Sequence, residues 1–237
     1  MAEKDIKKER KEIKQEEKPK PSIFGKWKKL AVGGLIGLSM LMPMKKAEGY
    51  VFLHNLTPPT GETAKRIEKK YPEGWGYVLK SDKLLDNGYT NGLTDKSITY
   101  FKEKYEKTKD GDALYMYAYS YYQRAIDSDN IEEVDYYLQK TLELCNKEVK
   151  DKKTKIRILG IKYFTLYNLS EALWREYKKD CLNVSYKEKA KKYLNSVLKD
   201  YKSNKNIFDQ EDQEFFENDG PIKHSYDLLN RINEYQE

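Results

Sequence analysis

The residues able to do chemistry are few and scattered. In 237 residues the chain has two cysteines and two histidines, Cys145, Cys181, His54 and His224. A zinc site needs three or four such ligands brought together, usually at short spacings, and no two of these are close in sequence. Gly-rich phosphate loops, His-Glu-x-x-His, Gly-x-Ser-x-Gly and Cys-x-x-Cys are absent from the sequence. Cys145 ends an apolar stripe, so a buried free thiol there and a disulfide with Cys181 both fit. Glu171 stands four residues before Arg175, the spacing of a helical ion pair. His224 reads as a surface residue. On these grounds no catalytic residue, metal ligand or cofactor-binding residue is assigned, and no cofactor is expected.

Tyrosine is what the chain has in quantity, with 21 residues. Tyr115, Tyr119 and Tyr122, three and four residues apart, would form an aromatic strip along a helix. Tyrosine offers a large contact area with little rotamer entropy to lose. The strip is therefore the candidate partner-binding site, for a protein or peptide, with close contact against the preceding helix as the competing explanation. Of the pairs 121–122 and 136–137, one ring of each is expected inward and one towards an edge. Trp75, between two glycines, reads as a cap on the core edge or as a stacking platform.

The elements that must position these residues are helical from Asp95 onward. Ile98, Phe101 and Tyr105 recur at helical spacing, and Asp110-Gly111-Asp112 then interrupts with an N-cap. Leu114, Tyr117, Ala118, Tyr121, Tyr122 and Ala125 form one apolar stripe; Ile131, Val134, Leu138, Thr141, Leu142 and Cys145 form the next. Two such stripes joined by a short turn imply an antiparallel pair. Lys153–Lys178 is one long helix, apolar on more than one side and hence set between neighbours. Tyr186 to Tyr201 carries another stripe, and Ser203–Gly220 reads as an acidic loop. Pro221 opens a last helix through Ile222, Tyr226, Leu229 and Ile232. Before Asp95 the signals are mixed. Tyr50–Leu56 is β-favouring, Gly61–Lys70 fits one helix, and Pro72 to Thr94, with four glycines, reads as turns.

Asp112–Cys145 resembles a tetratricopeptide repeat, a helix-turn-helix unit of about 34 residues. Leu114, Tyr117, Ala118 and Tyr121 fall on that family's first-helix positions, and Val134, Leu138 and Thr141 on its second-helix positions. Ala190, Leu194 and Val197 repeat the second-helix pattern. The turn at Asp127–Asn130 is longer than the family's, and Asn146 stands where it has proline. The resemblance implies a mainly α fold over residues 95–237, with antiparallel helix pairs in a short α-solenoid. It also implies that first helices such as the one bearing Tyr115, Tyr119 and Tyr122 line a concave surface.

Residues 1–29 hold eleven basic and six acidic side chains and read as a charged, disordered leader. Leu30–Met44 then runs for fifteen residues without a charge. As a helix that is roughly 22 Å, short of the ~30 Å hydrocarbon core but suited to a signal peptide. Residues 30–49 are accordingly a signal peptide cut near Ala47-x-Gly49 or a retained membrane anchor, which would touch the membrane through residues 30–44. The basic flank puts Met1 in the cytoplasm and the body across the membrane, in the cell envelope. Residues 50–94 form a loop-rich connection. From Ala47 onward 32 basic residues face 33 acidic ones, with no basic run for a phosphate backbone, so no nucleic-acid partner is expected. The expected function is a non-catalytic scaffold for protein–protein interaction. The alternative is an enzyme acting on cell-envelope polymers, with carboxylates that the sequence does not single out.

Overall fold

The computed structural model describes Leu56 and residues 58–85, 92–128, 131–179, 181 and 183–235. The leader, the apolar segment 30–49, His54 and all of the β-favouring stretch but Leu56 lie outside the described residues. Among the described residues the fold is nine α-helices without a strand. They are α1 (Gly61–Lys70), α2 (Pro72–Leu85), α3 (Leu93–Thr108), α4 (Gly111–Ile126), α5 (Ile131–Cys145), α6 (Lys152–Lys179), α7 (Val184–Asn204), α8 (Gln210–Asn218) and α9 (Pro221–Glu234). A 3₁₀ turn, Lys205–Ile207, joins α7 to α8.

Successive helices form antiparallel hairpins. Ser81 near the end of α2 meets Thr94 at the start of α3 at 2.8 Å. Asp95 and Ser97 at the start of α3 meet Arg124 (3.3 Å) and Ser120 (2.5 Å) on the second half of α4. Tyr121 of α4 lies 6.2 Å from Tyr137 of α5, and Tyr163 of α6 lies 6.0 Å from Tyr201 of α7. The hairpins stack so that α2, α4, α6 and α9 run parallel in one row. Within it Gln123 reaches Asp82 at 3.3 Å, Asn168 reaches Tyr122 at 2.7 Å, and the Tyr167 ring lies 5.7 Å from His224. Helices α3, α5 and α7 make the opposing row, where Gln139 donates to the Tyr193 hydroxyl at 3.1 Å.

Local chemistry explains the helix ends. The Asp110 carboxylate accepts from the Ala113 N–H at 3.3 Å, and Asp209 from the Asp212 N–H at 2.8 Å, each filling an N-terminal hydrogen bond that a helix leaves open. Pro221 occupies the first turn of α9, where its missing N–H costs nothing. Small residues then let helices approach: Ala113, Ala118 and Ala125 on α4 and Ala190 on α7 are fully buried.

Four sequence expectations are corrected. Pro72 to Leu85 is a helix rather than turns: Pro72 sits at its first position, and Trp75 and Val78 are buried in the common core. Gly74 is needed there because a Cβ would collide with the Tyr100 and Phe101 rings of α3. Because Ile67, Tyr71, Trp75 and Val78 share one core with α4 to α6, the helical unit begins at Gly61 and not at residue 95. The stretch 203–220 holds α8, whose Phe216 joins Phe208, Tyr163 and Tyr201 in a ring cluster, with Phe208–Phe216 centroids 4.9 Å apart. On α9 the buried side is Ile222, Ser225, Leu228 and Ile232. Tyr226 is 54% exposed, and His224, expected at the surface, is only 4% exposed.

Overpacking Ala118 or Ala190 with Trp should cost roughly 1–3 kcal/mol, read as a lower urea midpoint by circular dichroism. Parent-like melting of both variants would place neither residue at a helix contact. His224 gives a pH test. Burial holds its imidazole below the ordinary value, Lys223 acts in the same direction, and Asp227 opposes them. The unfolded chain therefore takes up the proton first, so this contribution is complete above a pH of about 6.5 and declines as pH falls. His224→Gln should reduce the loss of stability between about pH 7 and about pH 5; an unchanged difference from the parent across that range would count against it.

Candidate functional site

Helix α4 carries every candidate site residue, and thirteen of its sixteen residues are buried, so little of it is open for binding. Tyr119 and Tyr122 have no exposed surface and Tyr115 is 7% exposed. The Tyr119 hydroxyl donates to the Leu56 carbonyl at 2.9 Å and accepts from the Gln123 amide at 2.7 Å. The Tyr122 hydroxyl accepts from the Asn168 amide of α6 at 2.7 Å. Burial raises all three phenols well above their ordinary value, so they stay neutral hydrogen-bonding groups. Tyr115, Tyr119 and Tyr122 are thus interior residues and not a strip along an open edge. The physical reason is that α4 is covered by its own row and by the opposing row. A helix buried on two sides has no polar face by which sequence periodicity could tell which aromatic strip is open.

The open surface lies on the other side of the same helix. A groove of ≈ 330 Å³ runs between α3 and α5, with half-buried Tyr121 and an edge of the nearly buried Tyr117 (8% exposed) of α4 as its floor and Tyr105 on its α3 wall. Lys102, Lys140, Lys147, Glu106 and Glu143 stand around it. The Tyr117 and Tyr121 rings are 5.2 Å apart, and the aromatic surface continues through Tyr137 to Tyr136, which is 53% exposed. Cations sit over these rings: Lys147 Nζ is 4.8 Å and Lys109 Nζ 5.2 Å from the Tyr105 centroid, and the Arg124 guanidinium 5.0 Å from that of Tyr137. Such contacts contribute about 0.5–1 kcal/mol each at exposed sites and hold long side chains flat. Glu143 is ion-paired to Lys140 at 2.9 Å. The groove offers aromatic faces, ammonium donors and few free carboxylates, which suits adhesion to a chain more than proton transfer.

The other reactive groups are placed elsewhere. Cys145 and Cys181 are both free; the Cys145 thiol is buried, and burial pushes it up to about 12, leaving almost no thiolate at neutral pH. Glu171 pairs with Arg175 at 2.6 Å as the spacing implied. Among the described residues no group of three His, Cys, Asp or Glu side chains could hold a metal ion, and no helix is long and apolar enough to cross a membrane. Sequence reasoning placed Tyr117 and Tyr121 in a core stripe, and Tyr117 is buried in the common core with Tyr121 packed against it; the signal it lacked was Tyr137, which meets Tyr121 only across helices.

No family model matches the chain, and comparison with curated proteins and with solved structures gives no match.

Removing two buried rings leaves cavities and takes from the Gln123 amide one of its two partners. Tyr115→Ala with Tyr119→Ala should therefore destabilise the fold by about 3–5 kcal/mol or more. A double variant with parent-like thermal melting would put these rings back at a free surface.

Proposed function

We propose that this protein is a non-catalytic helical scaffold of the cell envelope. In this reading it is exported or anchored through residues 30–49 and holds a protein or peptide on its stacked helix pairs. The observation that carries it is the open tyrosine groove between α3 and α5. Tyrosine-rich surfaces with a polar rim are where binding energy concentrates in protein interfaces, and Tyr136 leaves a large ring half in water, touched at its edge by Tyr137 and on one face by the Lys140 ammonium. Three hairpins in register, α2–α3, α4–α5 and α6–α7, support a tetratricopeptide-like solenoid. The export part rests on the uncharged run 30–44 between lysines.

A photo-crosslinking residue in place of Tyr136, used in cells, should give a stoichiometric adduct with a protein. Tyr121→Ala together with Lys147→Ala should weaken that adduct at least tenfold with helical circular dichroism unchanged. Buried area would carry the affinity, so moderate salt should change it little. A reporter fused after Tyr50 should be active only outside the cytoplasm. Cleavage of envelope glycans by the purified chain would instead favour the catalytic alternative.

A further inference from the structure

Helix α1 lies across the first row instead of joining it. Glu62 at its start is 3.9 Å from Lys153 on the first turn of α6. Arg66 in its middle grips Asp112 on the first turn of α4 through two hydrogen bonds, 2.8 and 2.6 Å. Lys70 at its end bonds Asp110, the N-cap of α4, at 2.7 Å, and the next residue, Tyr71, donates its hydroxyl to the same carboxylate before α2 begins. The helix thus spans the starts of α6, α4 and α2. Just upstream, the Leu56 carbonyl accepts from Tyr119, so Leu56 lies beside the middle of α4 on the face where Tyr119 points.

The contrast between α1 and the surface under it is large. Of ten residues only Thr63 and Ile67 are buried, and a ten-residue helix is too short to persist alone in water. Its ties are polar and partly wet: the Arg66 and Lys70 side chains are 41% and 46% exposed. The surface below is built around side chains that are buried with α1 in place. Asp112 is 6% exposed, Asp110 and Asp151 cap α4 and α6, and Tyr119 is fully buried. Segments with few buried contacts and exposed ties open independently of the core that carries them.

We propose that Leu56 and residues 58–70 belong to a displaceable occupant, held in cis, of a docking surface over α4 and α6, and that its trans ligand is a short basic amphipathic helix. Such a helix would bring a guanidinium to Asp112, an ammonium to Asp110 and an apolar side chain to the place of Ile67. The surface is separate from the open groove, and Tyr119 comes within a partner's reach only when the segment leaves. The inference rests on the scaffold reading for its biological partner alone; the surface and its occupant do not need that reading.

The test uses the full chain and one probe, a fluorescent synthetic peptide of residues 56–71. The double variant Arg66→Glu, Ile67→Asp should release α1 and bind the peptide at least tenfold more tightly than the parent chain, whose surface is filled. Adding Asp112→Asn should weaken that binding at least tenfold. Hydrogen exchange on the unaltered chain should show α1 amides opening without those of α4 and α6. Equal peptide binding by parent and double variant overturns the proposal, as does global unfolding of the double variant or exchange of α1 and α4 amides at one common rate. Parent-chain dimers formed by swapping α1 between copies overturn it as well. Failure of the peptide with a partner still captured through Tyr136 removes this inference and leaves the scaffold reading standing. Peptide binding with no envelope partner does the reverse.

Discussion

Everything else in the fold is arranged around the burial of α4. A helix in contact with α3 and α5 on one side and α6 on the other leaves its polar side chains no water to turn to, and an unmet buried group costs about 1–3 kcal/mol. The structure answers most of those at the centre of the helix. Ser120 bonds Ser97 of α3 and the Met116 carbonyl, Tyr122 accepts from Asn168 of α6, and Tyr119 and Gln123 bond each other, Leu56 and Asp82 of α2. These bonds fix which neighbour lies on which side, because apolar contact alone would tolerate a rotation of the helix. Register between hairpins therefore comes from a small set of buried polar contacts, while the energy comes from the rings and aliphatic chains around them.

The same constraint divides the tyrosines into two populations with different tasks. Those facing the first row are sealed, and Tyr119 and Tyr122 are also hydrogen-bonded, so they act as structural spacers. Of those facing the opposing row, Tyr121 reaches the surface between α3 and α5 and Tyr117 lies just beneath it, while lysine ammonium groups cover the faces of Tyr105 and Tyr136. A helix carrying tyrosine on both sides can be fastened on one and present a contact surface on the other. That is why the functional reading moves from Tyr115, Tyr119 and Tyr122 to Tyr105, Tyr117 and Tyr121, with Tyr136 and Tyr137 beyond them.

Charge plays a smaller and more local part. The body is almost neutral from Ala47 onward, yet carboxylates collect at the starts of α4 and α6, where helix dipoles favour them. Arg66 and Lys70 answer that concentration from α1. The first described helix is consequently held by these polar ties together with the one buried apolar side chain of Ile67, and the later helices mainly by buried apolar area. Two kinds of adhesion in one molecule give it parts that open at different costs.

The sequence by itself determined the helical class, the bounds of α1 and α6 to within a residue, the Asp110 cap and the Glu171–Arg175 pair. These depend on neighbours within a turn or two of one another, which spacing records. Tertiary structure alone decided what covers each face. Periodicity marks residues that avoid water without naming the helix that shields them, so the burial of Tyr115 and Tyr119, read as an open strip, is decided only when the neighbouring helices are in place. For the same reason the glycines and prolines of 72–85 read as turns, since the reason Gly74 belongs in a helix is the ring of Tyr100, 26 residues away. His224 looked like a surface residue because its cover, the Tyr167 ring, belongs to another helix. What lies close in space but far along the chain leaves no mark in local spacing, and both faces of α4 are settled at that range.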